Sequence, residues 1–129
     1  MTPSTSEQYL HGLRIFLVED DAMISAMLMN MLDKLGCEVV GAAATVNQAL
    51  EMVSTTNAID VAILDVNIGD RKVFPVADLL LERDVPCVFS TGYATKLVTE
   101  RYPLCHFLDK PYALKALEKI LLSLQEGSP

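Results

Sequence analysis

The sequence predicts an α/β domain: a parallel sheet with helices on both faces. Two observations lead there. Five short apolar runs alternate with longer stretches whose apolar residues recur at the helical period. The runs are apolar on both faces rather than in strict alternation, which suits strands enclosed between two helix layers. At 129 residues the chain has room for one such domain and can bury a core without a disulfide or metal staple.

Taken in order, RIFLVE (Arg14–Glu19) is the first strand. In AMISAMLMNMLDKLG, Ile24, Met27, Leu28, Met31 and Leu35 are expected on one helical face, and Gly36 is the stop. The methionines Met23, Met27, Met29 and Met31 are read as adaptable core packing. EVVGAA (Glu38–Ala43) is the second strand. Thr45 and Gln48 then have capping-box spacing and open a helix with Val46, Ala49, Leu50 and Val53 on one face. VAILD (Val61–Asp65) is the third and clearest strand. A polar loop, NIGDRKV, follows it, and Pro75 sits near the start of a helix carrying Val76, Leu79 and Leu80. PCVFST (Pro86–Thr91) is the fourth strand and Cys105–Leu108 the fifth. A last helix runs from about Tyr112, with Leu117, Ile120, Leu121 and Leu124 on its face. Before the fifth strand, YATKLVTERYP contains β-branched residues and ends at Pro103, so helix 4 is expected to be short or irregular. Five such units suit a doubly wound, flavodoxin-like sheet of order 2-1-3-4-5. The domain is expected over 13–125, with a polar N-terminal tail over 1–12 and a C-terminal tail over 126–129.

Composition narrows the function classes. Apolar residues make up 51% of the chain, which excludes disordered and low-complexity classes. The net charge of −7, with no clustered Lys or Arg, argues against nucleic-acid binding. Cys37, Cys87 and Cys105 are widely spaced with no CxxC pattern, so they are read as reduced thiols. No apolar run has the length of a membrane span, and the first residues lack the pattern of a signal peptide. A cytoplasmic protein without membrane partners is expected.

In open α/β sheets, ligands bind beyond the carboxyl ends of the strands, where strand order reverses. Those ends carry Glu19 and Asp20 after the first strand, Asp65 at the third, Thr91 at the fourth and Lys110 after the fifth. Crowded carboxylates repel, so at least one must protonate or find a cation. A hard divalent ion with oxygen ligands resolves the conflict, and Mg²⁺ is the usual one where phosphate chemistry follows. A carboxylate in such a site can act as a nucleophile and form an acyl phosphate, with metal and lysine sharing the phosphoryl charge. Taken singly, each residue has a plain structural explanation: Glu19, Asp20 and Asp21 as helix N-terminal acids, Asp65 as a turn cap, Thr91 as a strand terminus before Gly92, Lys110 as solvated surface charge. Their joint arrival at one sheet edge is what points to phosphoryl chemistry.

The constellation resembles the receiver domain of bacterial two-component response regulators. The matching motifs are VEDD (Val18–Asp21), ILDVN (Ile63–Asn67), STGY (Ser90–Tyr93) and LDKPY (Leu108–Tyr112), and the resemblance runs from Leu13 to about Leu124. It implies that Asp65 accepts a phosphoryl group. Asp20, Asp65 and the backbone carbonyl of Asn67 would bind Mg²⁺, with Glu19 assisting. Thr91 and Lys110 would contact the phosphoryl group, Thr91 and Phe107 would act as switch residues, and the Lys110–Pro111 bond would be cis. The partners implied are a sensor histidine kinase and a downstream protein.

The sequence departs from the family pattern in places. Glu19 stands where Asp is commoner, and NIGDRKVFPVAD lacks the usual Met-Pro and Asp-Gly residues. PCVFSTGY is similar to the "FATGUY" subgroup, whose partners are often HWE-type kinases; there Gly92 would open the site and Tyr93 would screen it from water. The expectation is a stand-alone receiver that signals through protein contacts or drains phosphate from a kinase. It is no enzyme beyond autophosphatase activity. Two alternatives remain at this point: a pseudo-receiver that binds partners without cycling phosphate, and a hydrolase of the haloacid dehalogenase type. The second expects an Asp where Asn67 stands.

Overall fold

The computed structural model describes residues 9–92 and 96–126. Five parallel strands form the main sheet: β1 (Arg14–Val18), β2 (Glu38–Ala43), β3 (Val61–Asp65), β6 (Cys87–Thr91) and β7 (His106–Asp109). Their order is β2-β1-β3-β6-β7, the expected 2-1-3-4-5 arrangement. Around them lie α1 (Ala22–Lys34), α2 (Val46–Thr55), α3 (Phe74–Glu82), α4 (Lys96–Arg101) and α5 (Leu114–Glu126). Helix α4 has six residues, as short as its composition suggests.

Side chains alternate across each strand, so one sequence run feeds two cores. Phe16, Val18, Ala62, Leu64 and Phe89 face Ala49 and Val53 of α2 and Val76 and Leu80 of α3. Ile15, Leu17, Ile63 and Val88 face Leu28 and Leu32 of α1 and Leu117 and Leu121 of α5. Every residue of β3 is buried, consistent with its place at the centre of the sheet.

Three local features refine or correct the sequence reading. Asp21 caps α1 by accepting from the Met23 and Ile24 N–H groups, at 2.9 and 3.1 Å. From that start the inward face falls on Leu28, Leu32 and Leu35, and Met27 remains 42% exposed. The capping box of α2 is shifted by one: Thr45 accepts from the Gln48 N–H, but Gln48 Oε1 reaches the Ala44 N–H at 2.9 Å rather than that of Thr45. The polar segment after β3 is ordered as a hairpin, β4 (Asn67–Ile68) against β5 (Arg71–Lys72). Gly69, at φ 62°, supplies the left-handed turn residue it requires.

The stretch expected to precede the domain also contributes to it. Leu10 is fully buried beside Leu13 and Leu35, and the Gly12 N–H donates to the Gly36 carbonyl at 2.7 Å. The cysteines are free, and burial pushes Cys37 up to about 11 and Cys87 up to about 12. Leu10→Ala is expected to lower unfolding free energy by about 2–4 kcal/mol in urea titrations. A loss below about 0.5 kcal/mol would return residue 10 to the status of a tail.

Candidate functional site

Strand register builds the site. Val18 lies opposite Leu64, so the next residues, Glu19 and Asp65, come level at the sheet edge. Asp65 pairs with Ser90, and Thr91 with Asp109, which puts Thr91 and Lys110 one step beyond. The Lys110 N–H extends this ladder by donating to the Thr91 carbonyl at 3.0 Å. Residues scattered through the sequence thus converge because parallel strands all end on the same side.

Carboxylate oxygens of Glu19, Asp20 and Asp65 lie within 4.8 Å of one another. Lys110 Nζ donates to Asp65 Oδ2 at 2.9 Å and to Glu19 Oε1 at 3.1 Å. The remaining acceptors have backbone donors. The Asn67 N–H donates to Asp65 Oδ1 at 3.3 Å, the Asp21 N–H to Glu19 Oε2 at 3.2 Å, and the Gly69 N–H to Asp20 Oδ2 at 2.8 Å. The last bond makes the hairpin part of the site, and the sequence reading missed it.

Glu19 and Asp65 are buried, and Asp20 is exposed. Burial chiefly raises the Glu19 pKa, to about 7; neighbouring Asp65 adds to this, and the Asp21 N–H and Lys110 oppose it without cancelling it. For Asp20 the Gly69 N–H prevails and holds the carboxyl below the ordinary aspartate range. Burial works against the Lys110 ammonium, but hydrogen bonds to Asp65 and Glu19 outweigh it and raise its pKa. Lys110 therefore stays charged throughout the physiological range.

One ammonium among three carboxylates leaves negative charge uncompensated, and the Asp65 charge adds to burial in raising the proton affinity of Glu19. All three acids offer hard oxygen donors at close range, so the donor set fits a Mg²⁺ ion. It is the kind of acidic triad with which receiver domains bind Mg²⁺.

The other predicted residues surround this cluster. Thr91 is buried at the end of β6, next to exposed Gly92. Phe107 is half-buried on β7 and stacks on Phe89 with ring centroids 5.9 Å apart. The Lys110–Pro111 bond is cis. Tyr93 lies outside the described residues. Beneath the site, the buried hydroxyls of Ser90 and Tyr112 hydrogen-bond each other, joining the strand that ends in Thr91 to the segment carrying Lys110. Sequence reasoning assigned Ser90 no role of its own; a hydroxyl in a buried strand was the available signal.

The family pattern of the response regulator receiver domain matches residues 15–122. The chain is 30% identical over 101 residues to the phyllosphere-induced regulator PhyR of Methylorubrum extorquens, covering 76% of this chain and 38% of PhyR. It thus spans well under half of that relative. The solution structure of SdrG from Sphingomonas melonis Fr1 has 39% identity and a TM-score of 0.76, covering 90% of this chain and 97% of SdrG. The BeF3-activated conformation of SdrG from Pseudomonas melonis Fr1 has 37% identity and a TM-score of 0.75, covering 89% and 98%.

Because folding raises the Glu19 pKa, its stabilising contribution is complete below the ordinary value of 4.5 and is lost as pH rises through about 7. In a chelator, unfolding free energy should therefore fall between about pH 5 and about pH 8, by roughly 2–3 kcal/mol. Glu19→Gln, neutral and nearly isosteric, should flatten that slope. An equally steep slope in the variant would assign it to other groups.

Proposed function

The chain belongs to the response regulator receiver family, and we propose that it acts as a stand-alone receiver that accepts a phosphoryl group from a histidine kinase on Asp65. Receivers are phosphoacceptor signalling modules, and this one carries their acidic pocket. The observation that carries the assignment is the setting of Asp65. Its carboxylate ends the central strand, with Lys110 on one oxygen and the Asn67 N–H on the other, inside the acidic triad.

In the proposed reaction an Asp65 oxygen attacks the phosphorus of a kinase phosphohistidine. A P–O bond forms as the P–N bond breaks, the imidazole nitrogen keeps the electron pair, and Asp65 becomes an acyl phosphate. Lys110 moves its hydrogen bond toward the incoming phosphoryl oxygens, with the Thr91 hydroxyl on the other side. Glu19, Asp20, Asp65 and the Asn67 carbonyl would hold Mg²⁺, which supplies positive charge against the phosphoryl oxygens when bound. Gly92 leaves the approach open, since a Cβ there would meet nothing within 4 Å. Thr91 and Phe107 form the switch pair, and the stacking of Phe107 on Phe89 gives a ring movement a route into the core beside α4.

The near-complete coverage of SdrG supports the stand-alone reading, and its BeF3-activated form supports a phosphorylatable one. The kinase is proposed to be of the HWE type, on the likeness of PCVFSTGY to the FATGUY subgroup. Output passes to a downstream protein or ends in drainage of phosphate. The setting is proposed to be cytoplasmic; among the described residues no helix is long and apolar enough to cross a membrane.

Incubation with Mg²⁺ and a small phosphodonor should add one phosphoryl group to the intact mass, and Asp65→Ala should abolish the gain. A wild-type mass that never changes, or an Asp65→Ala protein that still gains phosphate, overturns the assignment. Lys110→Ala should slow phosphorylation at least about tenfold, the scale expected on losing a charged contact to the transferring group. A rate within about twofold of wild type would remove Lys110 from the reaction.

A further inference from the structure

Lys72 has no part in the receiver motifs, yet the fold bonds it to Asn67, whose own N–H donates to Asp65. The β4–β5 hairpin is pinned by the Gly69 N–H on Asp20, by Arg71 Nη1 on Asn47 Oδ1 at 2.9 Å, and by the Val73 N–H on the Val66 carbonyl at 2.9 Å. Successive side chains on a strand point to opposite faces. Arg71 therefore reaches toward α2, and Lys72 takes the other face, where its ammonium donates to the amide oxygen of Asn67, its partner across the hairpin. Lys72, Asn67, Thr91 and Gly92 together line a cavity of about 180 Å³.

We propose that Lys72 is a second cationic contact for the phosphoryl group, closing the site from the side opposite Lys110. The inference rests on Asp65 being the phosphoacceptor. Phosphorylating Asp65 would replace a carboxylate of one negative charge by an acyl phosphate carrying about two, adding about one net negative charge to a pocket already rich in carboxylates. Lys110 brings a single positive charge and also serves Glu19, and Thr91 offers only a neutral hydroxyl. Lys72 holds a neutral amide oxygen, a weaker partner for an ammonium than a phosphoryl oxygen. Its flexible stem lets it exchange one for the other while the hairpin stays fixed. The side chain is exposed, so it keeps its charge with little desolvation and its effect is moderate.

The test uses trifluoroberyllate with Mg²⁺ as a tetrahedral stand-in for the phosphoryl group, its binding followed by fluorine NMR. Lys72→Ala and Lys72→Gln should each weaken binding by about three- to tenfold, and Lys72→Arg should stay within about twofold of wild type. Thermal melts should be unchanged in all three, as expected for an exposed side chain. Wild-type binding that Asp65→Ala abolishes and Lys72→Ala leaves within about twofold would overturn the role of Lys72 and leave that of Asp65 standing. If the wild type takes up no beryllofluoride, both assignments fall together.

Discussion

Three carboxylates meet around one ammonium at the carboxyl edge of the sheet, and the properties of the site follow from that imbalance. Lys110 bonds Asp65 and Glu19 at about normal ion-pair distance and remains charged, but it cannot neutralise both of them together with Asp20. In the dry part of the pocket, burial first and the neighbouring Asp65 second raise the proton affinity of Glu19. At the wetter rim, backbone N–H groups keep Asp20 ionised. A pocket in this condition favours a hard divalent cation and then tolerates a phosphoryl group, because the cation relieves the repulsion that both would otherwise meet.

The backbone keeps the imbalance in place. Parallel register sets Val18 level with Leu64 and Thr91 with Asp109, so Glu19, Asp20 and Lys110 leave the sheet beside Asp65 and Thr91. The two cores beneath, each packed with residues of alternating strand positions, hold the strand ends at fixed spacing. The Ser90–Tyr112 hydroxyl pair and the Lys110 N–H to Thr91 carbonyl bond tie the last two strands together at the level of the site. The hairpin presents its Gly69 N–H to Asp20 and is itself braced by the Lys72 bond to Asn67.

Much of this was legible in the sequence because buried parallel strands are continuous apolar runs, and the first polar residue after each run marks an edge position. VAILD is the clearest case: its boundary put Asp65 at the strand end where the structure has it. Less was legible where one residue acts alone. Leu10 is a single leucine in a polar stretch, with no periodicity to reveal its burial. Met27 fits a helical stripe as well as Leu32 does until the Asp21 cap fixes the phase of α1. The hairpin was hidden by its polarity, although Gly69–Asp70 between Ile68 and Arg71 is a combination that favours a two-residue turn. The contacts of Gly69 and Lys72 with the pocket depend on that turn and could not be read before it.

The surplus of negative charge is tested most directly by calorimetric titration of Mg²⁺ near neutral pH, in two buffers of different ionisation enthalpy. Saturable uptake of one ion with net proton release is the expected result, and Glu19→Gln should bind without that release. Failure to take up the ion, or uptake whose proton balance is the same with Gln at position 19, would contradict a pocket held short of positive charge by its three acids.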